Sequence, residues 1–411
     1  MPAPPSSSVL TVVGIGAGGR ADLSPAASAE IATAAVLVGS ERQLALLDDA
    51  ATTAERVPLP APLASGLPAL LRQLAGRRAV VLASGDPMFF GIGTTLVRAL
   101  GAAAVRVVPS PSSVSLAAAR LGWSLPDVEV VSVVGRPLAL LRPALAPDHR
   151  VLVLTPGTSG ARDVRDVLAQ EGYAASEVTV LAQLGGPDEW VGPASDDPHD
   201  ALAIVAVACR ADPGTEPRSR AAALPDDAFE HDGQLTKQEV RAVTLAALRP
   251  LPGALLWDVG AGSGSVGIEW LRTHPSCRAV AIEPRDDRRE RVLRNAERLG
   301  VPGLEVVAGA APSALAGLPT PDAVFVGGGV SGAGVLPACV AALRPGGRLV
   351  ANGVTVETET VLADTYARHG GTLTRLHVER ASPVGGFTGW RPAMPVTQWS
   401  WTKPGPSAGD S

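Results

Sequence analysis

The residues best suited to chemistry lie in two glycine-rich turns placed far apart. The string Trp257-Asp258-Val259-Gly260-Ala261-Gly262-Ser263-Gly264 closes an apolar run and opens a helix-length segment. Alternating glycines let backbone approach a ligand closely, and a helix start offers free N–H groups to it. About twenty residues further on, the apolar run Ala279-Val280-Ala281-Ile282 ends in Glu283, where a carboxylate can accept both hydroxyls of a ribose. Gly262-Ser263-Gly264-Ser265-Val266-Gly267 also satisfies the dinucleotide fingerprint, so the loop alone does not choose between cofactors. In the first half, Val12-Val13-Gly14-Ile15-Gly16-Ala17-Gly18-Gly19 is another strand running into a glycine turn. Val81-Leu82-Ala83-Ser84-Gly85-Asp86-Pro87-Met88-Phe89-Phe90-Gly91 puts a second tight turn at a strand end, and Pro109-Ser110-Pro111-Ser112-Ser113 puts hydroxyls after a third. One chain is therefore expected to hold two cofactor-using centres.

The elements that must position these turns alternate between two kinds. Short β-branched runs at Val9–Val13, Ala79–Ala83, Val105–Val108, Val128–Val134, Val151–Leu154 and Ala201–Ala208 are separated by Ala/Leu-rich stretches of helical length. Such alternation predicts α/β layering with mostly parallel strands. Residues 209–233 carry Pro213, Pro217, Pro225, Gly214, Gly233 and several acids with little apolar periodicity, and read as a linker. Thr236 with Glu239 three residues on has the capping-box pattern of a helix start. Strand-like runs follow at Ala254–Val259, Ala279–Ile282, Leu304–Val307, Ala323–Val326 and Arg348–Ala351, and the stretches His377–Arg380 and Pro395–Trp401 suit an antiparallel pair at one edge. No internal repeat joins the halves, which predicts two different folds.

Composition bounds the rest. A chain of 411 residues with 46% hydrophobic and 18% charged residues is globular and large enough for two domains. A net charge of −5 with 3% aromatic residues gives no footprint for nucleic acid. Cys209, Cys277 and Cys339 lie without paired spacing, and the six histidines form no ligand pair, so neither disulfide, zinc site nor catalytic metal is expected. The stretch Met1–Ser8 lacks the basic start and apolar core of a secretory signal, and no run approaches the ~20 apolar residues of a membrane span. The expected location is cytoplasmic, with no membrane partner.

In order and spacing, several separated motifs carry a resemblance. Gln234-Leu235-Thr236-Lys237 with Glu239, the Trp257–Trp270 stretch, Ile282-Glu283-Pro284, Val326–Gly329, the late turn and strand Leu343–Val350, and Gly389-Trp390-Arg391-Pro392 resemble the decarboxylating precorrin methyltransferases of cobalamin biosynthesis over 230–403. The turns of the first half resemble the tetrapyrrole methylase family over 9–208, and most of all its members that methylate carbon 5 of the precorrin ring. The first loop departs from that family's pattern, with Ala17 where proline is common and Ser24 where threonine is common. The resemblance implies a two-lobed tetrapyrrole methylase fold over 1–208, a linker over 209–233, a Rossmann-like class I methyltransferase with a seven-stranded sheet over 234–403, and a flexible tail over 404–411.

It also implies S-adenosylmethionine as cofactor, one in each domain, and a precorrin substrate. The second domain would methylate carbon 15 and remove carbon dioxide from the carbon 12 acetate, and the first would methylate carbon 5. By position, the first site would use Gly16, Gly85, Asp86, Phe89, Ser112 and Ser113, and the second Thr236, Gly260, Ala261, Gly262, Ser263, Gly264, Glu283 and Ala310. Asp86 is equally suited to forming its Asp-Pro turn, and Ser112, Ser113 and Thr236 to capping helices. Arg241, Arg380 and Arg391 are candidate anchors for substrate carboxylates. Family likeness suggests a homo-oligomer. A nicotinamide oxidoreductase using Gly262–Gly267 and a non-catalytic binder of the same sulfonium ligand are the alternatives.

Overall fold

A computed structural model describes residues 9–47, 52–195 and 200–405; the tail expected from 404 onward lies almost wholly outside the described residues. The chain divides into two compact units, one comprising 1–138 and 144–215, the other 139–143 and 216–411.

The first unit contains two five-stranded sheets. Strands β1 (Leu10–Ile15), β2 (Val36–Gly39), β3 (Glu55–Pro58), β4 (Ala79–Ser84) and β5 (Val105–Val108) form a wholly parallel sheet in the order β3-β2-β4-β1-β5. Its central strands β1 and β4 read as continuous apolar runs because helices cover both faces, and Val12, Val13, Val81 and Leu82 are completely buried. The second sheet contains β6 (Val128–Ser132), β7 (Arg150–Leu154), β8 (Glu177–Ala182), β9 (Trp190–Pro193) and β10 (Ala203–Ala208) in the order β6-β7-β10-β8-β9. There only β6 and β7 run parallel. The apolar runs gave six of these ten strands. The four-residue β2, β3 and β9 are too short to stand out, and β8 was also missed.

The second unit is built on a seven-stranded sheet. Its strands β11 (Leu255–Val259), β12 (Arg278–Glu283), β13 (Glu305–Ala308), β14 (Ala323–Val326), β15 (Arg348–Gly353), β16 (Thr372–Leu376) and, after the hairpin β17 (Glu379–Val384) and β18 (Phe387–Pro392), β19 (Val396–Thr402) run in the order β13-β12-β11-β14-β15-β19-β16. The first five are parallel, and β19 inserts antiparallel between β15 and β16. The sequence suggested an edge pair of His377–Arg380 with Pro395–Trp401. The partner of β19 is instead β16, and Glu379–Val384 pairs with Phe387–Pro392 as a separate hairpin. Alternation marks a strand's two faces but carries no information about which strand lies beside it.

The segment 209–233, read as a linker from its prolines and acids, is anchored at both ends. Asp212 accepts hydrogen bonds from the amides of Ala174 and Ala175, which ties 209–215 to the first unit. Leu224 and Phe229 are buried in the core of the second, whose helix Ser265–Thr273 offers Glu269 to the amides of Ala223 and Leu224 at 2.7 and 2.9 Å. Apart from the short 3-10 turn Asp226–Ala228 it forms no helix or strand, so no periodicity betrays the order.

Gly260 shows why the turn after β11 needs glycine. Its φ is +70°, and an added Cβ would lie 2.7 to 2.8 Å from backbone atoms of Gly328 in the turn after β14. Neither backbone can retreat without breaking the β11–β14 ladder. Gly260→Ala is expected to lower the thermal midpoint of the second unit markedly while leaving the first unit's transition in place; differential scanning calorimetry of the full chain checks this.

Candidate functional sites at the ends of the parallel strands

Each unit has a cavity at the carboxyl ends of its parallel strands, where open α/β sheets bind their ligands. In the first unit it measures about 580 Å³. Gly16 and Ala17 follow β1, Ser84 and Gly85 follow β4, and the opposite wall is Ser132, Leu154, Thr155 and Ile204 from the second sheet. Gly85 adopts φ +61°, and its missing Cβ would lie 3.2 Å from Pro111 and Ser112 backbone atoms, so three strand-end turns meet there. Phe89 and Phe90 stand partly exposed in the wall, and the Arg136 guanidinium lies 5.4 Å from the Phe90 ring centroid.

Of the residues singled out in this half, Gly16, Gly85, Phe89 and Ser113 line the cavity. Asp86 and Ser112 lie just behind it. Asp86 closes its own turn by accepting the Met88 amide at 2.8 Å, and Ser112 caps the helix Ser113–Leu121 by accepting the Ser115 amide at 3.1 Å. Sequence reasoning missed Arg42 and Gln43, which line the cavity and both donate to the Ser84 hydroxyl, at 2.9 and 3.0 Å. They follow the short β2, whose presence nothing in the local pattern announced. Burial lowers the Arg42 guanidinium from its ordinary value, and the charge of Asp200 opposes that shift. A cation is thus held in a mostly apolar wall.

The second cavity, about 390 Å³, opens between the turns after β11 and β14, the helix Gln238–Leu248 and the hairpin side of the sheet. Thr236, Gly260, Ala261 and Gly262 line it. Thr236 is not the helix cap that its spacing to Glu239 suggested; Lys237 occupies that position and makes no side-chain capping bond. Gly264, Ser263, Glu283 and Ala310 are not part of the wall. Gly264 is the left-handed residue opening the helix Ser265–Thr273, Ser263 is buried behind the loop, and Ala310 is exposed beyond β13. Glu283, also buried, braces the loop from below: its Oε2 accepts the Gly262 amide at 2.9 Å and its Oε1 the Arg285 amide at 3.1 Å.

Asp258, in the strand just before the glycines, lines the same cavity. Its Oδ2 accepts the Gly267 amide at 2.9 Å, while its buried Oδ1 has no hydrogen-bond partner. Burial pushes its carboxyl up to about 7, the Gly267 amide opposes this, and the nearby Glu283 charge adds to it. A carboxylate inside an apolar run was the signal in the sequence. Asp232 behaves oppositely: burial raises it, but the Gln234 amide, Arg288 and Arg291 outweigh burial and hold it well below the usual carboxylate range.

The three arginines considered as anchors have separate fates. Arg241 is completely buried: its Nε donates to Glu269 at 2.6 Å, its Nη1 to the Thr236 carbonyl at 2.6 Å, its Nη2 to the Leu224 carbonyl, and its plane covers the Phe229 ring at 4.7 Å. It holds the fold of 223–236 and does not itself line the cavity. Arg380 lines the cavity and pairs with Glu239; Arg391, exposed on the neighbouring strand of the hairpin, is outside the wall. Among the described residues no group of three or more His, Cys, Asp or Glu side chains is arranged to hold a metal, and no helix is long and apolar enough to cross a membrane. The three cysteines are buried and free, with burial pushing Cys209 up to about 11 and Cys339 to about 12.

Comparison with known proteins fits these two units. A model of the tetrapyrrole (corrin/porphyrin) methylases matches residues 9–195, and one described as a precorrin methyltransferase domain matches 227–403. A Sinorhizobium sp. protein named precorrin-6Y C(5,15)-methyltransferase [decarboxylating] is 50% identical over 399 residues, covering 96% of each chain. The chain belongs to the decarboxylating precorrin-6Y C(5,15)-methyltransferase family. A Mycobacterium tuberculosis (strain CDC 1551 / Oshkosh) relative of the same name is 44% identical over 96% of this chain and 100% of its own. The crystal structure of the C-terminal domain of precorrin-6Y C5,15-methyltransferase from Rhodobacter capsulatus is 47% identical, covering 45% of this chain and all of that one, with a TM-score of 0.43.

Two outcomes test the second unit of this family member. Arg241→Ala leaves Glu269 buried without its cation and is expected to cost about 3–5 kcal/mol, read from denaturant midpoints by the fluorescence of the buried Trp257, Trp270 and Trp399. The raised Asp258 carboxyl means that the folded unit holds a proton which the unfolded chain, with its ordinary value of 3.8, has released. Stability from this group is therefore greatest at acid pH and is lost as pH rises through about 7. Asp258→Asn is expected to flatten that fall, checked by thermal midpoints at about pH 5 and about pH 8.

Proposed function

We propose that the protein uses S-adenosylmethionine in each unit to methylate precorrin-6Y at carbons 5 and 15 and to release carbon dioxide from the carbon 12 acetate, giving precorrin-8X. The observation carrying this reading is the pair of separate cavities, each floored by glycine turns at the ends of parallel strands. Full-length likeness to relatives named for both methylations supports it, and favours a methyl donor over the nicotinamide cofactor that the glycine loop left open.

The residues present suit the donor. In the second unit the Cβ-free turn Gly260–Gly262 admits close backbone approach, and the orphaned Asp258 Oδ1 offers an acceptor and, when ionised, a negative charge beside a cationic ligand. Glu283, buried outside the wall, serves the site indirectly by holding the Gly262 amide and so fixing the loop. In the first unit Gly16, Gly85, Phe89 and Ser113 would hold the donor. A bound sulfonium supplies its own reactive methyl group, so neither unit needs a strong base for the transfer. What the chain contributes is alignment of an electron-rich ring carbon with that methyl and exclusion of water.

Division of labour follows the motif resemblance of each half: carbon 5 to the first unit, carbon 15 and decarboxylation to the second. Losing carbon dioxide leaves an electron pair that the conjugated ring accepts. A wall that holds the other acid arms by cations while the reacting arm sits among apolar groups favours that loss. Arg380 is the cation of the second wall that we assign to an acid arm.

Cavity-blocking variants of the full chain separate the assignments. Gly85→Val, at φ +61°, is expected to give a product that has lost carbon dioxide and gained one methyl group. Gly262→Val, at φ +60°, is expected to release no carbon dioxide. Product masses after incubation with precorrin-6Y and donor decide; carbon dioxide loss that survives Gly262→Val but not Gly85→Val would reverse the division.

A further inference from the structure

Five charged residues line the second cavity: Lys237, Glu239, Asp258, Arg288 and Arg380. Each of the three cations is paired, but the pairs are built differently. Lys237 lies 3.5 Å from Asp226, which also accepts the Gln238 amide at 2.9 Å and an Arg241 N–H at 3.3 Å. Arg288 donates at 2.9 Å to Asp232, which also accepts the Gln234 amide at 3.1 Å. Both of these carboxylates stand outside the wall and have other partners. They are fixtures of the fold.

The Arg380–Glu239 pair has both members in the wall. Arg380 grips Glu239 in a fork, Nε to Oε1 at 3.2 Å and Nη2 to Oε2. The two side chains are 46% and 44% exposed, and among the described residues Glu239 has no other side-chain partner. A pair this open to water gains little net stability, so replacing one carboxylate by another is nearly balanced. Glu239 also has somewhere to go. It lies in the first turn of the helix Gln238–Leu248, whose start has no side-chain cap, and the positive end of the helix favours a free carboxylate there.

We propose that Glu239 is a resident stand-in for a substrate carboxylate: it keeps the Arg380 fork aligned and occupied until an acid arm of the ring takes its place. This rests on the precorrin reading above and adds how that site recognises its substrate. A tethered carboxylate competes at an effective concentration on the order of millimolar or more, so a lone small acid does not displace it. A polycarboxylate held at several points does, because its arm is then tethered as well. The exchange makes the second unit selective for the many-armed ring over simple carboxylates.

The test uses the full chain and its Glu239→Gln variant. Replacing the anionic stand-in with a neutral amide of equal size is expected to lower KM for precorrin in carbon dioxide release severalfold. The same change is expected to let acetate bind, seen by calorimetry, at concentrations where the parent shows none. Glu239→Asp, which keeps the charge, is expected to remain close to the parent in both readouts, and Arg380→Ala to raise KM and to abolish acetate binding in the Glu239→Gln background. An unchanged or increased KM in Glu239→Gln with no gain of acetate binding overturns the proposal, since a merely structural pair would give that result. Absence of carbon dioxide release from the parent would remove the substrate assignment, while the acetate measurement would still decide whether Glu239 guards Arg380.

Discussion

The second unit depends on a buried cation. Arg241 ties two parts of the chain to one point: Glu269 on the helix after the glycine loop, and the segment entering the unit through its Leu224 and Thr236 carbonyls and its Phe229 ring. Two charges removed from water are tolerated where further hydrogen bonds satisfy them, and here Glu269 also accepts the Ala223 and Leu224 amides. The consequence reaches the cavity. Gln234, Leu235, Thr236 and Lys237 all stand in its wall, and their segment carries no ladder to hold it there. An ion pair in the core thus performs the positioning that a strand performs elsewhere.

The two units build similar cavities with different backbones. In both, parallel strands end at turns where glycine permits left-handed geometry and close approach, and the cavity forms beyond them. In the first unit a second sheet supplies the facing wall, mostly apolar, with Arg42 and Gln43 meeting at Ser84. In the second, one helix, one hairpin side and the entering segment supply it, and each of its three cations is paired with a carboxylate. The three free cysteines are buried, and none lines either wall.

Much of this was legible beforehand because it is local. The runs that became β1, β4, β11, β12 and β14 are buried along nearly their whole length, so apolar residues dominate them. The glycine turns announced themselves since few other residues accept their dihedral angles. Other features depended on partners remote in sequence. Thr236 and Glu239 have capping-box spacing, yet the helix begins one residue later than that pattern requires and leaves Thr236 to the cavity and Glu239 to Arg380. The prolines and acids of 209–233 have the composition of a linker, but Leu224 and Phe229 find a core and the acids find amides and arginines.

By itself the sequence determined the alternation of strands and helices, the glycine turns at strand ends and the acid at the end of β12, because backbone dihedral preference and burial act on neighbouring residues; the expected parallel pairing fails in the sheet of β6–β10, where β7, β10, β8 and β9 pair antiparallel through partners remote in sequence. Only the tertiary structure decided which arginine stands in a cavity wall. Arg241, Arg380 and Arg391 are the same side chain in the sequence; one is consumed in the core, one stands in the wall against Glu239, and one lies in solvent. The energy of a charge is set by what surrounds it, and those surroundings come from residues far along the chain.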